Sequence, residues 1–224
     1  MLQWYMEVLN MDLIEYLLNH YDYDEPILSR ELYQEIDINP NTLRQSLKRA
    51  VDQGKLCRYE YKKGIYFIPN PNSLFKQQTI NFNKVISKAY LFNKRQRIGY
   101  ITGLSFANQL QLTTQNPVNI EIVTQNEATL KRDIDYTIRT VTLRKPRVKE
   151  INERNFKILQ VFDLLNNFEK MSTEPIETAI DKIRSYLDDI HINREELNYY
   201  LKSYPQKTQI KVLENGIDYE LTSK

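Results

Sequence analysis

Residues 41–53 place cationic and amide side chains on one side of an amphipathic segment. Apolar residues recur there at three- and four-residue steps, the spacing of the buried face of an α-helix: Leu43, Leu47, Ala50 and Val51. The opposite face carries Thr42, Arg44, Gln45, Lys48, Arg49 and Gln53. Arginine and glutamine side chains can form paired hydrogen bonds with guanine and adenine, and the cations further along suit phosphate. The segment therefore predicts a helix that lies in a DNA major groove.

Two further helices are predicted on the N-terminal side of this segment. Apolar residues at helical spacing predict the first over about residues 2–20. The second begins near Ser29, a candidate cap, and has a buried stripe of Leu28, Leu32, Tyr33 and Ile36. A break at residues 37–40 separates it from the third helix, which Asn41 or Thr42 is expected to cap.

A β-hairpin is predicted on the C-terminal side. Gly54 ends the third helix, and residues 56–61 and 65–68 are rich in β-branched and aromatic side chains. The turn between them, Lys62 to Gly64, is basic and ends in the glycine that a tight turn favours. Helix, turn, helix and hairpin in this order predict a winged helix-turn-helix over residues 1–70. The predicted DNA contacts are Asn41, Thr42, Arg44, Gln45, Lys48, Arg49, Lys62 and Lys63.

The charge distribution agrees with a nucleic-acid partner. The net charge is only +2. Residues 1–37 hold nine acidic and one basic side chain, whereas residues 38–70 hold seven basic and two acidic. Residues 71–150 hold thirteen basic and five acidic, and residues 151–224 ten and thirteen. A basic middle between acidic ends is the footprint of a nucleic-acid binder, although a basic solvated surface remains an alternative.

The rest of the chain predicts a second, mixed domain. Residues 71–79 have the proline and asparagine content of a linker, and residues 80–224 form the second domain. Its predicted helices cover residues 83–93, 104–110, 153–165, 176–189 and 194–204. Its predicted strands cover residues 118–124 and 136–143, with a turn or short helix at 126–131 and a terminal hairpin of 209–213 and 217–221. The predicted fold class is α+β: an N-terminal winged helix-turn-helix, then a mixed α/β domain with a small sheet and C-terminal helices.

A second basic row begins on the last predicted strand of the small sheet. Residues 139–149 read RTVTLRKPRVK and contain Arg139, Arg144, Lys145 and Arg147. This row could bind phosphate, either of DNA beside an operator or of a nucleotide or RNA held by a partner. A charged strand edge that discourages pairing with other chains is the alternative interpretation.

Catalytic and metal-site patterns are missing from the sequence. His20 and His191 lie far apart, the lone Cys57 is expected to be a small core residue, and no phosphate-binding glycine motif or nucleophile elbow occurs. Glu121 invites comparison with metal-dependent nucleases, but the second position after it is Val123 instead of a charged residue. We therefore expect a protein without enzymatic activity, metal or cofactor.

The sequence also predicts the compartment. No apolar run approaches the roughly 18–20 residues that a membrane span needs. The first residues lack the basic start of a secretory signal. A cytoplasmic protein without a membrane partner is expected.

Four segments follow one another along the chain: the predicted winged module, GYITGLSFANQLQLTTQNP at residues 99–117, NIEIVT at 119–124 and RTVTLRKPR at 139–147. In this order they resemble bacterial AbiEi-type antitoxins, the antitoxin halves of abortive-infection toxin–antitoxin pairs. The resemblance covers roughly residues 28–165. It depends mainly on Gly99, Tyr100, Gly103, Ala107, Leu112, Thr113, Thr114, Gln115 and Pro117.

The resemblance implies a transcriptional autorepressor whose partner is double-stranded DNA with operator inverted repeats. A homodimer on DNA is one possible form of this protein. It also implies a second domain that counteracts a cognate nucleotidyltransferase-like toxin, directly or through the toxin's target. The antitoxin surface is then expected at Arg139, Arg144, Lys145 and Arg147. Two features depart from the family pattern: the long acidic N-terminal helix, and Gln111 where glycine is expected.

Two other functions fit parts of the sequence. A nucleic-acid-processing or restriction-accessory protein would use the second domain as a nuclease-like fold. A protein-interaction scaffold would keep the winged module without DNA contact. Steep weakening of DNA binding by salt separates an operator-binding protein from the scaffold, because displaced counterions make phosphate contacts salt-dependent.

Overall fold

A computed structural model describes residues 13–74 and 78–223. The chain divides into two compact units, residues 1–89 and 90–224. The fold is mixed α+β with small sheets and C-terminal helices, which confirms the predicted class at this level. Residues 2–12 of the predicted first helix lie outside the described residues. In the described part of the chain, every helix is too short or too polar to cross a membrane.

The described residues of the first unit form three helices before a small sheet is completed. Its elements are α1 (Leu13–His20), β1 (Ile27–Leu28), α2 (Ser29–Glu35), α3 (Pro40–Asp52), β2 (Cys57–Arg58), β3 (Ile65–Phe67) and α4 (Phe82–Ile86). The strands form an antiparallel sheet in the order β1-β3-β2, with Ile27 opposite Tyr66 and Cys57 opposite Phe67. The predicted hairpin is confirmed with shorter strands. Strand β1 was missed because two residues are too few to show an alternating pattern.

Helices α1, α2 and α3 pack around one apolar core. Leu17 from α1, Leu32 from α2 and Leu47 from α3 are fully buried in it, together with Ile27 of β1. Each buried leucine contributes roughly 1.5–3 kcal/mol relative to an exposed one. Burial of one face of α3 fixes which of its side chains point outward.

Both predicted helix caps in this unit are wrong. Helix α3 begins one residue earlier than predicted, at Pro40, and the side chain of Asn39 accepts the hydrogen bond from the Asn41 backbone N–H at 2.9 Å. Proline suits the first helical position because it lacks the N–H that would be unpaired there. Ser29 is already inside α2, where its backbone N–H donates to the Gly64 carbonyl at 2.9 Å.

The second unit is built on a four-stranded sheet. It contains, in chain order, a π turn (Ser87–Leu91) at the division between units, β4 (Phe92–Asn93), β5 (Gln96–Arg97), β6 (Gly99–Thr102), α5 (Gly103–Gln109), β7 (Ile120–Thr124), β8 (Arg132–Asp135) and β9 (Thr140–Arg144). The sheet order is β6-β7-β9-β8, and β7 and β9 run parallel with Ile122 opposite Leu143. Strand β8 was missed because its sequence, RDID, is charged and mostly exposed at the sheet edge.

The predicted helix at residues 83–93 ends earlier than expected. Residues 92–97 form a short hairpin instead, in which Phe92 pairs with Arg97. The guanidinium of Arg97 lies between two aromatic rings, 4.5 Å from the centre of Phe92 and 3.8 Å from that of Phe156. These cation–π contacts stabilise the hairpin in a way that helical periodicity does not reveal.

Six helices complete the described part of this unit: α6 (Phe156–Asn166), α7 (Phe168–Met171), α8 (Ile176–Leu187), α9 (Arg194–Lys202), α10 (Gln206–Glu214) and α11 (Ile217–Thr222). Helix α6 lies at the centre, with Leu159, Phe162 and Leu165 fully buried. The predicted terminal hairpin is wrong. Ile217 and Leu221 are buried four residues apart, which is a helical spacing, and Gly216 makes a left-handed link between two helices.

Candidate functional site

The outer face of α3 carries the predicted DNA-contacting side chains in exposed positions. Leu43, Leu47 and Ala50 are buried, which turns the opposite face to solvent. The exposed residues on that face are Asn41, Thr42, Arg44, Gln45, Lys48 and Arg49. We call this surface the α3 face. Its role in binding stays a prediction.

The start of the α3 face is held by local hydrogen bonds. The Arg44 guanidinium donates to the Asn41 side-chain oxygen at 3.1 Å. The first turn of α3 contains no acidic side chain. The N-terminal end of a helix dipole is positive, and the Arg44 guanidinium lies near this end of α3. Both favour an anion there.

The turn between β2 and β3 holds the two predicted lysines. Lys63 is exposed and Lys62 is partly exposed. Gly64 has a φ of +82°, and a Cβ on it would lie 2.9 Å from the Ser29 hydroxyl. This turn is therefore fixed against the start of α2. Exposed Lys55 and Arg58 add positive charge to the unit, and the residue-by-residue prediction missed them.

The four predicted antitoxin residues separate into two places. Arg144, Lys145 and Arg147 line one cleft of about 480 Å³ in the second unit. Arg139 does not line it; this exposed side chain lies 3.5 Å from the Pro117 carbonyl oxygen. We call the cavity the basic cleft.

Strands and helices supply opposite walls of the basic cleft. Tyr100 and Thr102 come from β6, and Glu121 and Val123 from β7. The helical side is supplied by the following residues: Asp163, Asn166, Asn167, Met171 and Ser203.

One ion pair positions the first cation of the cleft. The Arg144 Nε donates to Glu121 Oε2 at 2.7 Å. Gly103 has a φ of +68°, and a Cβ on it would meet the Glu121 side chain at 3.1 Å. Glycine at this position therefore leaves room for the carboxylate that holds Arg144. Glu121 belongs to this pair rather than to a group of carboxylates.

Asp163 is the second carboxyl of the cleft, and 16% of its side chain is exposed. Its Oδ2 accepts the Tyr100 hydroxyl hydrogen bond at 2.8 Å, and the Arg147 Nε lies 3.8 Å from its Oδ1. Burial raises the pKa of Asp163 to about 6, although the Tyr100 hydrogen bond and the Arg147 charge act in the opposite direction. Burial, together with the Asp163 charge, also raises the pKa of Tyr100. The cleft thus holds a carboxyl that titrates near neutral pH.

Sequence reasoning did not find the helical wall of the cleft. A signal was present in α6 and the residue that follows it. After Lys157 in the first turn, the polar residues recur at three- and four-residue steps: Gln160, Asp163, Asn166 and Asn167. The Gln160 side chain is hydrogen-bonded to the Ile101 carbonyl oxygen at 2.7 Å and to the Tyr186 hydroxyl at 2.5 Å. Polar groups on the buried side of a helix need partners, so such a stripe indicates a polar layer or a site.

The histidines and the cysteine lie outside both surfaces. His20 Nδ1 is 2.8 Å from the Tyr16 carbonyl oxygen, and its ring stacks on that tyrosine. Cys57 is half-buried in β2. Within residues 13–74 and 78–223, no three histidine, cysteine, aspartate or glutamate side chains are grouped as metal ligands.

Comparison with known proteins gives a family but no activity. The sequence has no significant match among curated proteins. A family model described as a family of unknown function (DUF6088) matches residues 27–194, which include α3, the lysine turn and the three cations of the basic cleft. Because this match spans most of the 224 residues, the chain belongs to the DUF6088 family.

Proposed function

We propose that the protein is a DNA-binding antitoxin that represses its own operon. The exposed α3 face carries this proposal, because it combines base-reading side chains, Arg44 and Gln45, with the phosphate-binding cations Lys48 and Arg49. The resemblance of the sequence to AbiEi-type antitoxins supports the same function.

The first unit supports a winged helix-turn-helix. Its elements follow in the order α1, β1, α2, α3, β2 and β3, and the short β1 pairs with β3 of the hairpin. In this motif the second helix of the helix-turn-helix enters the major groove and the wing contacts the adjacent backbone. Helix α3 and the turn with Lys62 and Lys63 then take these two roles.

The proposed partners follow from the same motif and the resemblance. A homodimer on inverted repeats places two α3 faces in successive major grooves, about 34–36 Å apart. The second unit acts against a nucleotidyltransferase-like toxin, directly or through its target, and both activities occur in the cytoplasm. If the gene next to this one encodes such a toxin, growth arrest on its expression should be relieved by co-expression of this protein.

A gel-shift titration with the protein's own promoter tests the DNA part. We expect Arg44→Ala/Lys48→Ala to weaken binding about 100-fold, since each lost base or phosphate contact is worth roughly 1–3 kcal/mol. Lys202→Ala/Lys207→Ala is the matched control, because it removes the same charge from exposed positions of the second unit. Undiminished binding by the α3 variant would remove the recognition helix from the proposal.

A further inference from the structure

We propose that the basic cleft of the second unit binds a mononucleotide through its phosphate group. This site lies wholly within residues 90–224. The inference goes beyond operator binding and stands without it, because no residue of the α3 face takes part.

The first reason is that the positive charge of the cleft is not fully neutralised, because three cations share the cleft with two carboxyl groups. Lys145 is exposed and forms no hydrogen bond or ion pair with other residues in the described part of the chain. Arg147 lies 3.8 Å from Asp163, beyond hydrogen-bond distance, and its guanidinium is 5.3 Å from the centre of the Tyr204 ring. Lys145 can therefore bind an anion without losing an internal ion pair, and Arg147 would lose only a long one.

The second reason is that both carboxyl groups of the cleft are already engaged. Glu121 accepts a 2.7 Å hydrogen bond from Arg144, and Asp163 accepts a 2.8 Å hydrogen bond from Tyr100. Glu121 is thus paired with Arg144, and the remaining ion pair, Asp163 with Arg147, is long at 3.8 Å. The site therefore favours an anion over a cation, and Arg144 is held in place as the third positive charge.

The third reason is the size and lining of the cavity. A volume of about 480 Å³ is in the range of sites for small molecules and is far too small for a double helix. Amide and hydroxyl groups of Asn167, Ser203 and Thr102 are chemically suited to sugar hydroxyls. Leu130 and Met171 supply apolar surface suited to a base. A phosphate alone would leave most of this lining unused.

Isothermal titration calorimetry with the full chain can test the site. The probes are adenosine 5′-monophosphate, inorganic phosphate and adenosine, which separate the phosphate from the nucleoside. We expect the monophosphate to bind more tightly than phosphate, and adenosine to bind more weakly than either. Lys145→Ala should weaken binding of the monophosphate about tenfold, the loss typical of one charge-assisted hydrogen bond.

Two controls separate this site from general charge and from DNA binding. Arg139→Ala removes one charge from the same basic row outside the cleft, and we expect it to bind the monophosphate like the wild type. Arg44→Ala/Lys48→Ala should also bind it like the wild type, whatever its effect on DNA. Lys145 is exposed and has no hydrogen bond or ion pair with the other described residues, so we expect its substitution to leave the fold intact.

Several results would overturn the inference. No heat of binding from the monophosphate at 10 mM, or equal weakening by Lys145→Ala and Arg139→Ala, would exclude a site in the cleft. Equal affinity for phosphate and monophosphate would exclude a nucleotide as the ligand. Competition by duplex DNA, with Lys145→Ala weakening the duplex as strongly as the monophosphate, would assign these cations to DNA instead.

Discussion

The α3 face and the basic cleft both collect cations, but they present them differently. On the α3 face, Arg44, Lys48 and Arg49 project from one convex helix surface into solvent. In the cleft, Arg144 is paired with Glu121 and Arg147 faces Asp163 across a concave cavity. Cations on a convex helix can approach many phosphates of a duplex at once, whereas cations in a cavity with internal carboxylates suit one small anion.

The difference shows that the number of basic residues is a poor guide to the ligand. Both regions come from parts of the sequence with an excess of lysine and arginine. The two regions differ because the cleft contains buried or half-buried acidic side chains, which reduce its net charge and fix the positions of its cations. Binding measured at different salt concentrations and pH values can therefore distinguish the two regions. Substitutions at the ends of α3 and α5 compare their backbone conformations.

The largest expected effect is the response to salt. Between 50 and 200 mM salt, we expect DNA affinity at the α3 face to fall about 10²–10³-fold, because four to six phosphate contacts release that many counterions. The affinity of the cleft for a mononucleotide should fall less than about tenfold, since only screening of a few charges is involved. Fluorescence anisotropy with labelled DNA and calorimetry with the nucleotide measure the two slopes. Equal slopes would mean that the two regions bind alike.

The α3 face could be predicted from sequence because its geometry is local. Residues 41–53 lie on one helix, so a repeat of 3.6 residues decides which side chains share a face. Only the exact helix start was missed, since Asn39 and Pro40 lie in the predicted break. The basic row at residues 139–149 was recognised for the same reason, as neighbours in sequence.

The cleft could not be predicted because its walls come from distant parts of the chain. Tyr100 and Asp163 are 63 positions apart, yet their side chains are hydrogen-bonded. That contact depends on the packing of α6 against β6, which no local pattern specifies. Arg139 was grouped with the cleft residues by proximity in sequence, but the intervening strand β9 separates it from the cavity.

The C-terminal segment shows how one turn signal misleads. Asn215-Gly216 is the strongest short hairpin signal in the sequence, and the flanking residues contain valine and isoleucine. The structure uses the same left-handed glycine, with a φ of +65°, to join α10 and α11. Thr208 and Val212, four residues apart, are both buried, which is the spacing of a helix.

Asp163→Asn should raise the free energy of unfolding at pH 7.5 by about 1–3 kcal/mol. Folding raises the pKa of Asp163 from 3.8 to about 6. The contribution of this carboxyl to stability is therefore full below pH 4 and is lost as the pH rises through about 6. Asparagine has no charge to bury, and its carbonyl can still accept the Tyr100 hydroxyl. Urea denaturation at pH 7.5 and pH 4 should show the gain only at the higher pH.

Asp189→Asn is the control, because folding shifts the pKa of Asp189 in the opposite direction. Hydrogen bonding to Lys157 lowers the pKa of Asp189, and most of this side chain is exposed. Its contribution to stability is present at neutral pH and is lost as the pH falls, so the substitution should give no gain at pH 7.5. A gain equal to that of Asp163→Asn would show that burial of Asp163 is not the cause.

The next effect compares the C-terminal ends of two helices, α3 in the first unit and α5 in the second. Helices α3 and α5 both end in the same hydrogen-bond pattern, with Lys55 N bonded to Ala50 O at 3.0 Å and Leu112 N to Ala107 O at 2.9 Å. The left-handed position is Gly54 in the first and Gln111 in the second, with φ of +70° and +56°. The family resemblance predicts glycine at position 111, and the left-handed backbone there is a conformation that glycine adopts without strain.

Reciprocal substitutions test this comparison. Gly54→Ala should lower the free energy of unfolding by about 1 kcal/mol from left-handed strain alone, because a Cβ there meets nothing within 4 Å. Gln111→Gly should raise it by about 0.5–1 kcal/mol, since the side chain is exposed and Lys182 bonds the main-chain oxygen that remains. Urea denaturation measures both. A loss of stability in Gln111→Gly would mean that the glutamine side chain itself stabilises the helix end.

The smallest expected effect is a pH dependence of anion binding in the cleft alone. The groups that face Asp163 are Tyr100 from β6, Arg144 from β9, Arg147 from the following loop and Tyr204 after α9. The arginines stay charged and the tyrosines stay neutral between pH 5 and 7.5, because burial raises the pKa of both Tyr100 and Tyr204. Only Asp163 then changes the net charge of this group, and it does so near pH 6.

Sulfate is the suitable probe, because a phosphate monoester has its own pKa near 6 whereas sulfate does not titrate in this range. We expect sulfate to bind about three- to fivefold more tightly at pH 5 than at pH 7.5, since protonation removes one negative charge from the cleft. Calorimetry at both pH values measures the change. Asp163→Asn should bind sulfate equally at both, with the tighter affinity, and Arg139→Ala should retain the wild-type pH dependence. An unchanged pH dependence in Asp163→Asn would show that Asp163 does not control binding of the anion.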